Sequence, residues 1–277
     1  MKKFCLALGF FGLLSLLYWQ LTMPKLSPRP FYLSPTTELS QEKPKAIHEV
    51  YQYIQKINDR NCQIKNIFVE NVKITIKQQI TVKVHGRLAM QKDKYFRLKV
   101  WHDVLGQEMD IGSNVQHFWF WSKRMDNPAL YYAKHENLNK TMLKTPLNPS
   151  WLIESLNLGE IDVENIEVAK FKNFWAIIQP RISALEQNVT VVTLIDPIKI
   201  AVVGRYLYNS DGILTASTET RDFTTDSTGA LIPKNLFIIW YDEGIIMNWE
   251  LIAPKININI DKNYWLMPNM RKVDIGK

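Results

Sequence analysis

The chain has 277 residues, 46% of them hydrophobic and 22% charged, with a net charge of +7. Those are ordinary globular proportions for one large or two small domains, and they exclude disordered, collagen-like and coiled-coil classes. Nine Trp, eleven Tyr and twelve Phe make it aromatic-rich, whereas two Cys and five His leave little material for a disulfide scaffold or a metal centre.

Met1-Lys2-Lys3 is a basic start, and Phe4 to Leu21 then runs without a charge. Such a run spans about 27 Å as a helix, close to the thickness of a hydrocarbon core. The lysines orient it with the remainder exported. No A-x-A-like cleavage site follows, so the reading is an uncleaved anchor over residues 1–21, with a cleaved signal peptide as the alternative. Cys5 falls inside the run and Cys62 is left alone outside it. Cys62 is then either buried and inert or the donor of an intermolecular disulfide. Lys2 and Lys3 account for two of the positive charges, leaving a mildly basic exported part. No Lys/Arg block marks a nucleic-acid surface.

Residues 22–45 read as a linker, broken by Pro24, Pro28, Pro30, Pro35 and Pro44. Residues 45–58 predict a helix with Ile47, Val50, Tyr51, Ile54 and Ile57 as its apolar stripe. From about residue 62 the period changes to two. Ile80/Val82/Val84, Phe96/Leu98/Val100, Met247/Trp249/Leu251 and Ile256/Ile258/Ile260 alternate with polar residues, as in antiparallel strands buried on one face. Turn signals fall at Leu105-Gly106, Ser113-Asn114, Asp211-Gly212, Thr228-Gly229 and Glu243-Gly244. A second helix is expected from Pro149 to Leu156, with Asn148 as its N-cap. The expected fold is mainly β: a curled, unclosed antiparallel barrel of about ten or eleven strands covered by a few helices, forming one domain over residues 46–277. A closed barrel is the alternative, distinguished by whether the first and last strands pair.

Catalytic signatures are missing. No nucleophile elbow, phosphate loop, dinucleotide fingerprint or C-x-x-C occurs. His48-Glu49 and His135-Glu136 begin like a zinc-protease helix, but the second His is lacking. His85, His102 and His117 have no carboxylate spaced to assist them as ligands. Glu108 and Asp110 read as two acids on a solvated strand face. Neither an enzyme nor a cofactor or metal is expected.

The densest aromatic feature is Phe118-Trp119-Phe120-Trp121. Four consecutive aromatics on a strand put two on each face, and both pairs need cover. Either the protein's own helices cover both, or one pair lines an apolar cavity.

Around this run stands an ordered set of short motifs: Gly86, Phe96-Arg97, Asp110-Ile111-Gly112-Ser113-Asn114, Trp119 or Trp121, and then the helix at Trp151. Further on come Asp211-Gly212, Gly229 to Pro233, the strand Phe237 to Tyr241, and Trp265-Leu266-Met267-Pro268. In this order they resemble the LolA/LolB lipoprotein-carrier superfamily of the bacterial envelope over residues 46–268. Asn114-Val115 departs from the usual Asn-Gly turn. The resemblance implies an unclosed barrel whose helices plug a hydrophobic cavity for acyl chains. It implies Phe96, Leu98, Val100, Phe118, Trp119, Phe120, Trp121 and the lid residue Trp151 as cavity lining. Arg97 would make a lid or strand-edge hydrogen bond, or else stand solvated on the polar face. The implied partners are lipid or lipoprotein acyl chains and an envelope protein; the N-terminal run adds the inner membrane, with the domain facing the periplasm, and this anchor departs from the family's soluble carrier and lipoprotein receptor. An anchored member can accept or hand on lipid but cannot ferry it. A module with the same fold and a filled cavity, acting in interaction or sensing, is the alternative.

Overall fold

The structure is a computed structural model, and it describes residues 43–91, 95–141, 149–183, 186–226 and 229–277. The expected anchor, nearly all of the linker and the expected N-cap Asn148 lie outside the described residues. Among the described residues, no helix is long and apolar enough to cross a membrane.

Helix α1 (Lys43–Asn61) is longer than expected at both ends. Its buried stripe is narrower. Val50, Ile54 and Ile57 are sealed, whereas Ile47 and Tyr51 are more than one-third exposed. Positions i, i+4 and i+7 form one line along a helix, and Ile47 and Tyr51 flank that line on its wet side.

Two meanders follow. The first comprises β1 (Asn66–Lys77), β2 (Thr81–Gln91), β3 (Tyr95–His102), β4 (Gly106–Ser113), β5 (His117–Ser122) and β6 (Leu130–Lys134). A crossover then carries α2 (Pro149–Ser155). The second meander comprises β7 (Glu167–Phe171), β8 (Phe174–Ile182), β9 (Asn188–Asp196), β10 (Ala201–Tyr208), β11 (Leu214–Thr225), β12 (Leu231–Trp240) and β13 (Ile245–Ile252). Two short strands, β14 (Lys255–Ile256) and β15 (Lys272–Asp274), complete the chain. The seam between the meanders is β1 against β13, paired from Asn71↔Ile252 to Lys77↔Ile246.

The result is one fifteen-stranded sheet running from β15 to β7, whose two ends do not pair, with β14 beside β1. It is therefore unclosed, as expected, but it has more strands than expected and is not wholly antiparallel, because β15 runs parallel to β6. Four of the strands, β6, β7, β14 and β15, have five residues or fewer, and so few residues carry too little alternation to be read. The run Ile256/Ile258/Ile260 is corrected in the same way, since only Lys255–Ile256 pairs as strand. At Asn257 the backbone turns left-handed (φ 54), a conformation that asparagine tolerates. Asn257 Oδ1 accepts from the Lys65 amide and Nδ2 donates to the Gln63 carbonyl, so the segment is tied to the entry of β1 instead of extending a strand.

Both helices lie on one face of the sheet, here called the inner face. Helix α1 covers Trp175 and Ile177 of β8, Ile195 of β9 and Val202 of β10. Helix α2 belongs to the larger cluster formed by β1 to β5 and β11 to β13. The crossover runs from the β6 edge to the β7 edge, and it carries α2 over the middle of that face.

Four of the turn glycines, at 106, 212, 229 and 244, have φ between 61 and 84, where a side chain would be strained. Cys62 is exposed, which corrects the buried alternative for this thiol. It stands just past the last turn of α1, where its Sγ donates to the Asp59 carbonyl at 3.0 Å.

Candidate functional site

The β1 to β5 register places the expected site residues on two opposite faces. One cross-strand row reads Phe120, Ile111, Leu98, Leu88, Val69, and these five belong to the inner cluster. The adjacent row reads Trp119, Gly112, Arg97, Ala89, Phe68 and lies on the outer face. Side chains alternate along a strand, so the four consecutive aromatics cannot line one groove.

Phe96, Leu98, Val100, Phe118, Phe120 and Trp151 are thus brought together on the inner face. Trp119 and Trp121 are not, and Arg97 stands with them on the outer side. Two further residues join the inner group: Trp240 at the end of β12 and Trp249 in β13. Trp249 was visible in the Met247/Trp249/Leu251 alternation. Only the β1–β13 seam reveals that it shares a cluster with Phe120, some 130 positions earlier. The indole N–H groups of Trp151, Trp240 and Trp249 are all buried with no acceptor among the described residues.

Helix α2 is held over this band by a polar latch at its C-terminal end. Thr218 Oγ1 donates to Ser155 Oγ at 2.9 Å, and Ser155 Oγ donates back to the Trp151 carbonyl. Asn157, left-handed at φ 56, ends the helix. Its Nδ2 donates to Thr220 Oγ1 at 3.0 Å, and its Oδ1 accepts from Arg205 Nε at 2.9 Å. The carboxylate of Glu154 faces two guanidinium groups, Arg181 Nη1 at 3.2 Å and Arg205 Nη1 at 3.5 Å. Burial holds the Arg205 guanidinium below its usual range, with Glu154 opposing the shift and Arg181 adding to it. Asn61 Nδ2 at the end of α1 donates to the carbonyls of Asn157 and Gly159, which joins the two helices.

The outer face is also covered. The C-terminal segment at Tyr264–Leu266 lies across β3, and Arg97 is buried beneath it. Arg97 Nε and Nη2 grip Asp110 at 3.1 and 2.8 Å, and Nη1 donates to the carbonyls of Tyr264 and Leu266 at 2.5 and 3.3 Å. Trp119 Nε1 donates to the same Asp110 carboxylate at 3.2 Å. The Tyr264 ring stands against the cations of Arg97 and Lys99, at 5.4 and 5.2 Å. Arg97 therefore bonds to a covering segment, though the segment is C-terminal and lies opposite α2. Glu108 and Asp110 are 0% and 2% exposed, which corrects their reading as solvated acids. Asp110 lies beneath the cover and Glu108 is paired with Arg124.

Among the described residues, no group of three or more His, Cys, Asp or Glu could hold a metal ion. The inner face brings together a band of buried apolar side chains, three indole N–H groups without an acceptor among the described residues, and a latched helix.

Compared by sequence, the chain matches no family model and no curated protein. Solved structures do match. A domain from Vibrio parahaemolyticus named for outer membrane lipoprotein sorting aligns with a TM-score of 0.54 at 9% identity, over 77% of this chain and 94% of that one. A LolA superfamily protein from Nitrosomonas europaea aligns with a TM-score of 0.51 at 10% identity, over 77% and 97%. The fold is that of the LolA superfamily. A DUF1329 family protein from Desulfovibrio piger matches as well, with a TM-score of 0.56 at 8% identity, over 80% and 97%. The LolA fold thus accounts for the unclosed sheet with helices on one face, and it leaves the ligand of this chain to be argued from its own residues.

Proposed function

We propose that this protein is a bacterial envelope protein that takes lipid or lipoprotein acyl chains non-covalently onto the inner face of its sheet, beneath α2. The observation that carries the reading is the position of α2. It is a seven-residue helix that buries Trp151 and Leu152 in the cluster holding Phe96, Phe118, Phe120, Trp240 and Trp249, with a polar latch at its C-terminal end. An acyl chain that displaces α2 from this band gains about 0.8 kcal/mol per buried CH₂, less the contacts it replaces. The buried indole N–H groups of Trp240 and Trp249, on the sheet beneath the helix, give ester oxygens a place to bond. In this reading residues 1–21 hold the protein to the inner membrane, 22–45 are the stalk, and the domain from residue 46 works in the periplasm beside an envelope protein partner.

The test is to purify the full chain in detergent, extract bound lipid for mass spectrometry, and titrate a fluorescent fatty-acyl probe. Copurifying acyl lipid and saturable probe uptake are expected. Absence of both overturns the proposal.

One observation favours a second reading. Phe96, Phe118, Phe120, Trp240 and Trp249 are each at most 1% exposed. A band that stays sealed makes this an interaction module with a filled core. A defined protein partner recovered from envelope extracts, with no lipid, would favour that reading.

A further inference from the structure

A groove of about 790 Å³ opens at the sheet end where the β4–β5 turn meets the C-terminal segment, and it shares no lining residue with the inner cluster. That volume is in the range of small-molecule sites. Its walls are fixed by side chain to backbone bonds. Asn66 and Ile258 exchange two of these, with Nδ2 donating to the carbonyl at 2.9 Å and the amide donating to Oδ1 at 3.1 Å. Asn114 Nδ2 donates to the Trp265 carbonyl at 3.3 Å, while its Oδ1 accepts from the amides of Gln116 and His117. The Tyr95 and Trp265 rings stand against each other at 5.3 Å.

The lining chemistry is one-sided. Lys65 and Lys262 both line the groove and both are exposed, and among the described residues no carboxylate lines it. Asp261, next to Lys262, is not among the lining residues and caps the following turn by accepting from the Asn263 amide. The exposed part of the lining is mixed: Val115 and Leu266, 54% and 59% exposed, stand among Lys65, Gln116, Asn259 and Lys262. Two exposed cations on one groove call for an anion, and exposed aliphatic side chains on the same groove call for an amphiphile in preference to a free ion.

We infer that this groove is a binding site for the phosphate-bearing headgroup of an anionic phospholipid, with Lys65 and Lys262 on the phosphate and Val115 and Leu266 on the glycerol and first methylenes. The site would let the domain engage a bilayer surface whether or not an acyl chain enters beneath α2. It therefore stands or falls separately from the proposed function.

The experiment titrates the full chain in neutral detergent with dihexanoyl phosphatidylglycerol, dihexanoyl phosphatidylcholine and inorganic phosphate, followed by calorimetry. Saturable binding of the phosphatidylglycerol is expected, tighter than either comparison ligand. Lys65→Gln and Lys262→Gln should each weaken it about fivefold, and together about twenty-fivefold, at roughly 1 kcal/mol per lysine. Lys170→Gln with Lys172→Gln, on the β7–β8 hairpin, should leave it within about twofold if the site and not the overall charge is responsible. Equal binding of phosphatidylcholine, equal binding of inorganic phosphate, or unchanged affinity in the Lys65/Lys262 double variant overturns the inference.

Discussion

Trp119 and Gly112 are cross-strand partners, and the indole of Trp119 occupies the space where a side chain on residue 112 would stand. The missing Cβ lets the ring lie flat over β4 and reach Asp110 with its N–H. A Cβ at 112 would overlap the ring itself, which is stiff and has no flexible end to yield. Gly112→Ala is expected to cost about 2–3 kcal/mol by forced repacking. Gly112→Ala combined with Trp119→Leu should lose less than the two single costs added. Urea unfolding of the four proteins reads both. Additive costs would show that the ring and the glycine do not share this space.

Arg97 and Asp110 form the other half of that arrangement. Both are buried, and the guanidinium also holds two carbonyls of the C-terminal segment. Removing one partner strands a buried charge, so Arg97→Met should destabilise by about 3–5 kcal/mol. Arg97→Met with Asp110→Leu should be markedly less harmful, because no unpaired charge remains, although the indole N–H and the two carbonyls lose partners. Amide hydrogen exchange should speed up at residues 257–266 in both variants, because the anchor of that segment is gone in each. A double variant as unstable as Arg97→Met, or unchanged exchange at 257–266, would contradict the clamp.

Much of this was legible in the sequence, and what was not has physical reasons. Phe96, Leu98 and Val100 alternate cleanly, and the inner face takes them as expected. The resemblance groups Trp119 and Trp121 with Phe118 and Phe120 as lining, but the two-residue period already puts two of the four on each face, and the register keeps the two tryptophans on the outer one. Which face counts as the inner one depends on α1 and α2, and those helices stand tens of positions away in sequence. Asp110 read as solvated because a strand acid usually is. Its partner Arg97 was thirteen residues away and read separately, and its cover came from Tyr264–Leu266 near the other end of the chain. The latch of Glu154, Arg181 and Arg205 left no local pattern at all, since three separate elements supply its charges.

That latch gives a test of α2 as a lid. The hydroxyl oxygens of Ser155 and Thr218 lie 2.9 Å apart, close enough for two sulfurs in their place to bond. In a background with Cys5→Ser and Cys62→Ser, which removes the competing thiols, Ser155→Cys with Thr218→Cys should form a disulfide on oxidation. The locked protein should take up a fatty-acyl probe at least about tenfold more slowly, and reductant should restore the rate, since displacement of the lid precedes burial. Glu154→Gln should act oppositely, loosening the helix by roughly 1–2 kcal/mol, with faster exchange at residues 151–156 and faster uptake. Equal uptake in the locked and reduced forms would mean that acyl chains enter elsewhere or not at all.

Buried tyrosines, the covering Tyr264 among them, are expected to limit the domain at alkaline pH. Burial pushes the Tyr264 hydroxyl up to about 12, with Arg97 and Arg87 pulling it back in part. Burial also raises Tyr208 to about 12, with Tyr241 adding to it. Their folded values lie above the ordinary value near 10, so folding favours the protonated phenols. The associated stability is fully present below about pH 10 and is lost as pH rises toward about 12. Phenolate absorbance should therefore show a late-titrating group of tyrosines whose ionisation coincides with loss of near-ultraviolet circular dichroism. The Tyr264 hydroxyl is buried without a partner among the described residues. Tyr264→Phe should consequently keep stability within about 0.5 kcal/mol at neutral pH, move the alkaline midpoint upward, and remove one phenol from the late group. An alkaline midpoint that stays in place, or a stability loss of several kcal/mol at neutral pH, would show that the hydroxyl is bonded and that its burial does not set this limit.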